Sequence, residues 1–114
     1  MDNVIIRDAS EKDIPIILGL LYDLGRPKPQ KDSDVETFRK LVTKYLTDSD
    51  KKILVAVLDD VKIIGMLSMI FLPRLNHKTL ETYIPELVIL ETYRAQGVGK
   101  KLISSCMTIA KEKK

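Results

Sequence analysis

The stretch that most restricts this chain runs from Leu87 to Lys101: Leu-Val-Ile-Leu-Glu-Thr-Tyr-Arg-Ala-Gln-Gly-Val-Gly-Lys-Lys. It starts as an apolar strand and ends as the first turn of an amphipathic helix. Between them, Arg94-Ala95-Gln96-Gly97-Val98-Gly99 is a turn of mostly small residues with accessible backbone amides. A strand, a glycine-bearing turn and a helix N-terminus together form an anion site, because the amides and the helix dipole both favour negative charge there.

Spacing tests which anion is meant. A Walker A loop requires Gly, four residues, then Gly-Lys-Ser/Thr. Counting back from Gly99-Lys100 places Arg94 at the first glycine and Lys101 at the magnesium-binding hydroxyl, so both fixed positions fail. The dinucleotide fingerprint requires a small residue where Leu102 stands, and an acidic residue about 20 positions on, beyond the last residue here. The pattern that fits is Arg or Gln, two residues, Gly, one residue, then Gly or Ala, directly after a strand. Arg94, Gly97 and Gly99 occupy its three fixed places.

This pattern resembles the acyl-CoA-binding motif of the GNAT (GCN5-related) N-acetyltransferase superfamily. The resemblance extends upstream through Leu87, Ile89 and Tyr93, and downstream through Lys100-Lys101-Leu102-Ile103. Ala95 departs from it, since a glycine is common at that place.

Length and composition agree with a soluble domain. The 114 residues argue for one domain, 1–114, and a charged fraction of 31% is ordinary for a globular chain. With no tryptophan and six aromatic residues, aliphatic side chains must supply most of the core. A net charge of +3 is too weak to argue for nucleic acid and suits a polyanionic ligand. The single cysteine, Cys106, excludes an intrachain disulfide and a cysteine-based zinc cluster, and no metal site is expected. No apolar run approaches the ~20 residues that span a bilayer, and no signal peptide is legible, so no membrane role and a cytoplasmic setting are expected.

In chain order, Val4-Ile5-Ile6 predicts a first strand. Ser10 or Asp13 then caps a helix, Asp13 being favoured by Pro15 in the first turn. Its buried stripe is Ile14, Ile17, Leu18, Leu21 and Leu24, and Gly25, Pro27 and Pro29 end it. A second helix starts near Ser33 with Glu36 completing a capping box, and its apolar face is Val35, Phe38, Leu41, Val42, Tyr45 and Leu46. Ile53–Leu58 predicts a buried strand, Asp59-Asp60 a turn, and 62–72 the second arm of an antiparallel hairpin. Gly65 in that arm suggests a bulge or a close backbone contact. After a loop over 73–78, residues 79–90 predict one strand, with Pro85 at a bulge or on an unpaired side. The last helix runs from Val98 to about Lys113, with Val98, Leu102, Cys106, Ile109 and Ala110 facing inward.

The fold class is therefore α/β (α+β), a mixed, mostly antiparallel sheet with flanking helices in the order β-α-α-β-β-β-α. That order matches the first part of the GNAT fold, which normally continues with a strand, a helix and usually two more strands. The sequence reads as a truncated form of it, with those elements absent. The expected consequence is a homodimer in which a second copy completes the sheet, because the edge from Glu86 to Leu90 would otherwise be open to aggregation.

The resemblance implies an acetyl-CoA-dependent N-acetyltransferase that moves acetyl to a primary amine by direct attack in a ternary complex. It implies that the amides of Gln96, Gly97, Val98, Gly99 and Lys100 receive the pyrophosphate of acetyl-CoA, with Arg94 and Ala95 in the same loop. Backbone groups of Leu87, Val88 and Ile89 would hold the pantetheine arm, and one of those amides would polarise the thioester carbonyl. Glu86 is the first candidate for the base that deprotonates the amine, Glu81 the second, and Tyr83 a candidate acceptor-pocket residue. Each has a plainer alternative, a solvated or salt-bridged carboxylate and a packing tyrosine. The tyrosine that in many relatives protonates the leaving thiolate comes from a segment absent here. His77 reads as a surface loop residue and Cys106 as core. The alternative function is a non-catalytic CoA-binding or interaction module. The acceptor itself is not legible.

Overall fold

In the computed structural model, which describes residues 3–76, 78 and 80–113, the continuous apolar run becomes β2 (Lys51–Leu58), buried on both faces. Alternate side chains of a strand face opposite ways. Ile53, Val55 and Val57 therefore pack in one core with Ile14, Ile17 and Val42, and Leu54 and Ala56 in a second with Leu102 and Cys106. Helices cover both sides of the sheet, which is why this strand has no polar face.

The elements follow as β1 (Val4–Asp8), α1 (Ile14–Asp23), α2 (Asp32–Thr47), β2, β3 (Lys62–Pro73), β4 (Leu80–Tyr83), β5 (Leu87–Ile89) and α3 (Val98–Glu112). β1, β2, β3 and β4 lie side by side in that order, and β5 also pairs with β3, all antiparallel. The β2–β3 hairpin turns through Asp59 (φ 53°) and Asp60 (φ 63°), the two left-handed residues of a tight hairpin turn.

Both glycine and proline in this sheet mark irregularities. Ala56 pairs with Gly65 but Val57 pairs with Ile63, so Ile64 is an extra residue and β3 is bulged there. Gly65 also has a β-carbon's space taken: an added methyl would lie 2.7 Å from Ile89 Cδ1 and 3.1 Å from the Val88 carbonyl oxygen. The single strand expected over 79–90 is instead two. Tyr83 faces Ile70 and Leu87 faces Leu67, so three residues, Ile84-Pro85-Glu86, stand opposite two. Pro85 has no N–H for the ladder, and the chain bulges at that point.

Two further expectations need correction. The Ser33–Glu36 capping box does not form: α2 starts one residue earlier, after Lys31, with no side-chain cap, and Asp34 instead accepts from the Gln30 amide at 3.0 Å. On α1 the buried set includes Leu20, while Leu24 is exposed past the helix end. Asp13 stands at the N-cap of α1 as favoured, but its side chain makes no cap bond to that helix: the carboxylate instead accepts from the Ser10 amide at 2.8 Å, across a single 3-10 turn, and from the two terminal guanidinium nitrogens of Arg7 at 2.8 and 3.2 Å. His77, Thr79 and Lys114 lie outside the described residues.

Candidate functional site

α1 ends in a glycine turn that aims one cation at the bulge. Gly25 (φ 93°) is left-handed, its amide donates to the Tyr22 carbonyl at 3.0 Å, and the Arg26 amide donates to the Leu21 carbonyl at 3.0 Å. This pair of bonds closes the helix and reverses the chain. The Arg26 side chain then crosses to the bulge. Its Nη2 donates to the Pro85 carbonyl at 3.3 Å and to Glu86 Oε2 at 3.2 Å.

Glu86 is held from the other side by β3. The Ser68 hydroxyl donates to Glu86 Oε1 at 2.5 Å and accepts from the Glu86 amide at 3.1 Å, while the Ser68 amide donates to the Glu86 carbonyl at 2.9 Å. Ser68 is only 2% exposed, a buried hydroxyl in an otherwise apolar strand. Buried polar groups are normally paired, and this one is paired entirely with Glu86.

These groups sit at the wall of a cavity of about 320 Å³. α1 contributes Leu18, Leu21 and Tyr22; α2 contributes Phe38, Leu41, Val42 and Tyr45; β2 and β3 contribute Ile53 and Met66. The expected apolar face of α2 packs on the core through Val42, Phe38, Tyr45 and Leu46, and part of it also walls this cavity, with Leu41 54% exposed. Burial pushes the Tyr45 phenol above its usual range, and the charge of Glu86 adds to that push, so Tyr45 stays a neutral donor.

The second half of the site is the edge of β5 and the loop after it. Glu86 accepts from β3 and the Leu90 amide donates to the Ile64 carbonyl at 2.9 Å, so alternate residues of this strand face β3. Val88 is one of them, and its backbone is directed into the ladder. Leu87 and Ile89 direct theirs to the opposite edge. Arg94 Nε donates to the outward Ile89 carbonyl at 2.9 Å, which ties the loop to the strand.

In that loop Ala95 (φ 62°) and Gly97 (φ 89°) are both left-handed. Gly97 caps α3, and the first intrahelical bond runs from the Lys101 amide to the Gly97 carbonyl at 3.1 Å. The amides of Val98, Gly99 and Lys100 precede it and have no carbonyl one turn back to bond. Nothing lies within 4 Å of a β-carbon built on Gly97, and only Ile89 Cγ1 lies at 4.0 Å from one built on Gly99. The glycines therefore keep space clear in front of the helix N-terminus. The residues fit an oxyanion, since amides, dipole and clearance coincide. Lys100 is exposed beside this clearance, whereas Lys101 reaches the Val4 carbonyl at 3.3 Å.

The other expected residues are placed differently. Glu81 and Tyr83 lie on β4 beyond the bulge, both exposed, and neither lines the cavity beside Glu86. Cys106 is buried at 2% exposure in the α3 core, and burial raises its thiol above the usual range, opposite to what a nucleophile needs. Arg26 and Ser68 were not singled out from the sequence. A lone serine in an apolar strand is the signal that marks Ser68.

The match to known proteins agrees with this geometry. The GNAT acetyltransferase family model matches residues 18–114. Among solved structures, a transcriptional regulator from Bacillus halodurans C-125 superposes with a TM-score of 0.82 at 26% identity, over 96% of this chain and 75% of that one. A GNAT family acetyltransferase from Staphylococcus aureus gives 0.78 at 24% identity, over 96% and 79% of the two chains. An aminoglycoside antibiotic 6'-N-acetyltransferase from Acinetobacter baumannii gives 0.80 at 19% identity, over 96% and 72%, a likeness of fold alone. No curated protein matches the chain. The chain belongs to the GNAT acetyltransferase family.

Proposed function

We propose that this chain is an N-acetyltransferase that uses acetyl-CoA to acetylate a primary amine held in the α1–α2 cavity. The observation that carries this reading is the position of Glu86, on the wall of an apolar cavity and directly before β5 in the chain. Bound acetyl-CoA would supply an activated acetyl thioester. The amides of Gln96 to Lys100 would hold its pyrophosphate, and the outward backbone groups of Leu87 and Ile89 would align the arm as an added strand.

Glu86 accepts the proton that the amine must lose to become a nucleophile. Attack by the freed amine on a bound acetyl thioester would form the C–N bond and break the C–S bond, the nitrogen giving its second proton to solvent as the leaving sulfur takes one up. An outward amide of β5 would stabilise charge on the thioester carbonyl oxygen. Ser68 and Arg26 fix the carboxylate, so it is positioned before either substrate arrives. Glu81 is the reserve candidate for the base and Tyr83 for acceptor contact.

Calorimetry with acetyl-CoA tests the cofactor half, with Gly97→Glu as the comparison: unchanged binding by that variant would sink the loop assignment. Thiol release across an amine panel tests the chemistry, and tight CoA binding with no release would turn the reading toward a binding module. Homodimerisation is proposed on a separate ground: among the described residues β5 has β3 as its one strand neighbour. Sedimentation equilibrium that returns a folded monomer would remove it.

A further inference from the structure

The cavity wall carries more information about the acceptor than its amine. Among the described residues lining the cavity, Glu86 is the one carboxylate and Arg26 the one cation, and they form an ion pair at 3.2 Å. The Arg26 side chain is 48% exposed and that of Glu86 19%, so the pair stands at the mouth with its cation outward. Behind it the walls are aliphatic and aromatic, and Leu41 and Phe38 on α2 are incompletely covered.

A polycationic acceptor does not suit this arrangement. Several ammonium groups would meet one carboxylate, which already has a cation beside it, and apolar walls that solvate no charge. An amine with an apolar body suits the walls but leaves Arg26 displaced from its partner. A molecule with one ammonium, one carboxylate and an apolar body satisfies all three features. Its ammonium faces Glu86, its carboxylate takes the fork of Arg26 bidentately, and its side chain enters the cavity. The protein's internal ion pair is then exchanged for two pairs with the ligand, and neither charge is left alone.

We propose that the acceptor is an apolar α-amino acid, recognised as a zwitterion by Glu86 and Arg26, with its side chain between α1 and α2. This inference rests on the transferase reading for its reaction and on the cavity alone for its binding. Arg26 is a specificity residue in it, and the α-amine is the group acetylated. A peptide N-terminus lacks the carboxylate at that distance and is excluded by the same reasoning.

The test compares L-phenylalanine with phenethylamine, which lacks only the carboxylate, and with kanamycin, by calorimetry on the full chain and by acetyl transfer. L-phenylalanine should bind about tenfold or more tightly than phenethylamine, the effect of one charge-assisted bidentate contact, and kanamycin weakest. In Arg26→Gln the preference for L-phenylalanine over phenethylamine should disappear, whatever the loss of Glu86's partner does to the binding of both ligands together. Because the two ligands are compared on one sample, partial unfolding lowers both and cannot imitate the change. Arg26→Lys, which retains charge without the fork, should keep part of the preference. Equal binding of the two ligands by the native chain, tighter binding of kanamycin, or an intact preference in Arg26→Gln would each overturn the proposal. Acetylation of kanamycin without L-phenylalanine binding would overturn it and leave the transferase reading standing. Arg26-dependent L-phenylalanine binding without acetyl transfer would do the reverse.

Discussion

The hydroxyl of Ser68 and the carboxylate of Glu86 meet across the break between β4 and β5, and the same hydroxyl accepts the Glu86 amide. One side chain on β3 thus holds both the backbone and the acid of the residue that ends the bulge. Ser68→Ala should lower stability by about 1–3 kcal/mol, because a buried amide and a carboxylate each lose a partner. It should also reduce acetyl transfer more than acetyl-CoA binding, since the cofactor loop is untouched. Urea denaturation and the separation of kcat from the acetyl-CoA KM check this.

Gly65→Ala probes the contact between β3 and β5. Its methyl would stand 2.7 Å from Ile89 Cδ1 and 3.1 Å from the Val88 carbonyl, and the second of these is backbone. Overpacking of this kind costs about 1–3 kcal/mol. The strand that yields is the short β5, so acetyl-CoA affinity should fall together with Tm. A Tm unchanged within error would contradict the tight approach.

Gly99→Ala should separate stability from binding. A β-carbon there meets nothing nearer than 4.0 Å, and the position is helical. Replacing such a glycine stabilises by about 0.4–1 kcal/mol. The same methyl narrows the clearance before the amides, and loss of one hydrogen bond to a charged group corresponds to about tenfold or more in affinity. Gly97→Ala should differ in sign for stability, because a residue with a β-carbon at φ 89° costs roughly 1–2 kcal/mol.

The Arg7–Asp13 contact sets an acid-sensitive component of stability. The guanidinium hydrogen bonds hold the Asp13 carboxyl below the usual carboxylate range, against the opposing effect of burial. A depressed folded value means the contribution is complete above the unfolded value, about 3.9, and is lost as pH falls through the folded value. Asp13→Asn should be less stable at neutral pH and should lose less than the native chain between about pH 5 and pH 2. Parallel acid melts of the two proteins would refute this.

Legibility in the sequence followed the range of the interaction. The hairpin, the helix over 98–112 and the glycine loop are local, and each rests on spacing within a few residues. Pro85 announced a bulge, but the division of that segment into β4 and β5 depends on register against β3, which no single strand displays. Phe38, Val42, Tyr45 and Leu46 pack on the core as the apolar periodicity of α2 implies, but Leu41 and Val35 are exposed, because periodicity alone does not distinguish a covered position from an open one. Arg26 was invisible for a related reason: its partner Glu86 is 60 residues away, and only the glycine turn after α1 brings them together. The Ser33–Glu36 pattern failed because the Asp34 carboxylate bonds the Gln30 amide at that helix start.

The bond from Arg94 to the Ile89 carbonyl has a consequence for the timing of recognition. Strand edge and anion loop are joined before any ligand is present, so their relative placement need not be found during binding. Little conformational freedom is then left to lose on association, and affinity gains what a floppy loop would forfeit. Removing that guanidinium, as in Arg94→Ala, would show itself as slower capture and a more unfavourable binding entropy, with no charge on the ligand needing to have touched Arg94 at all.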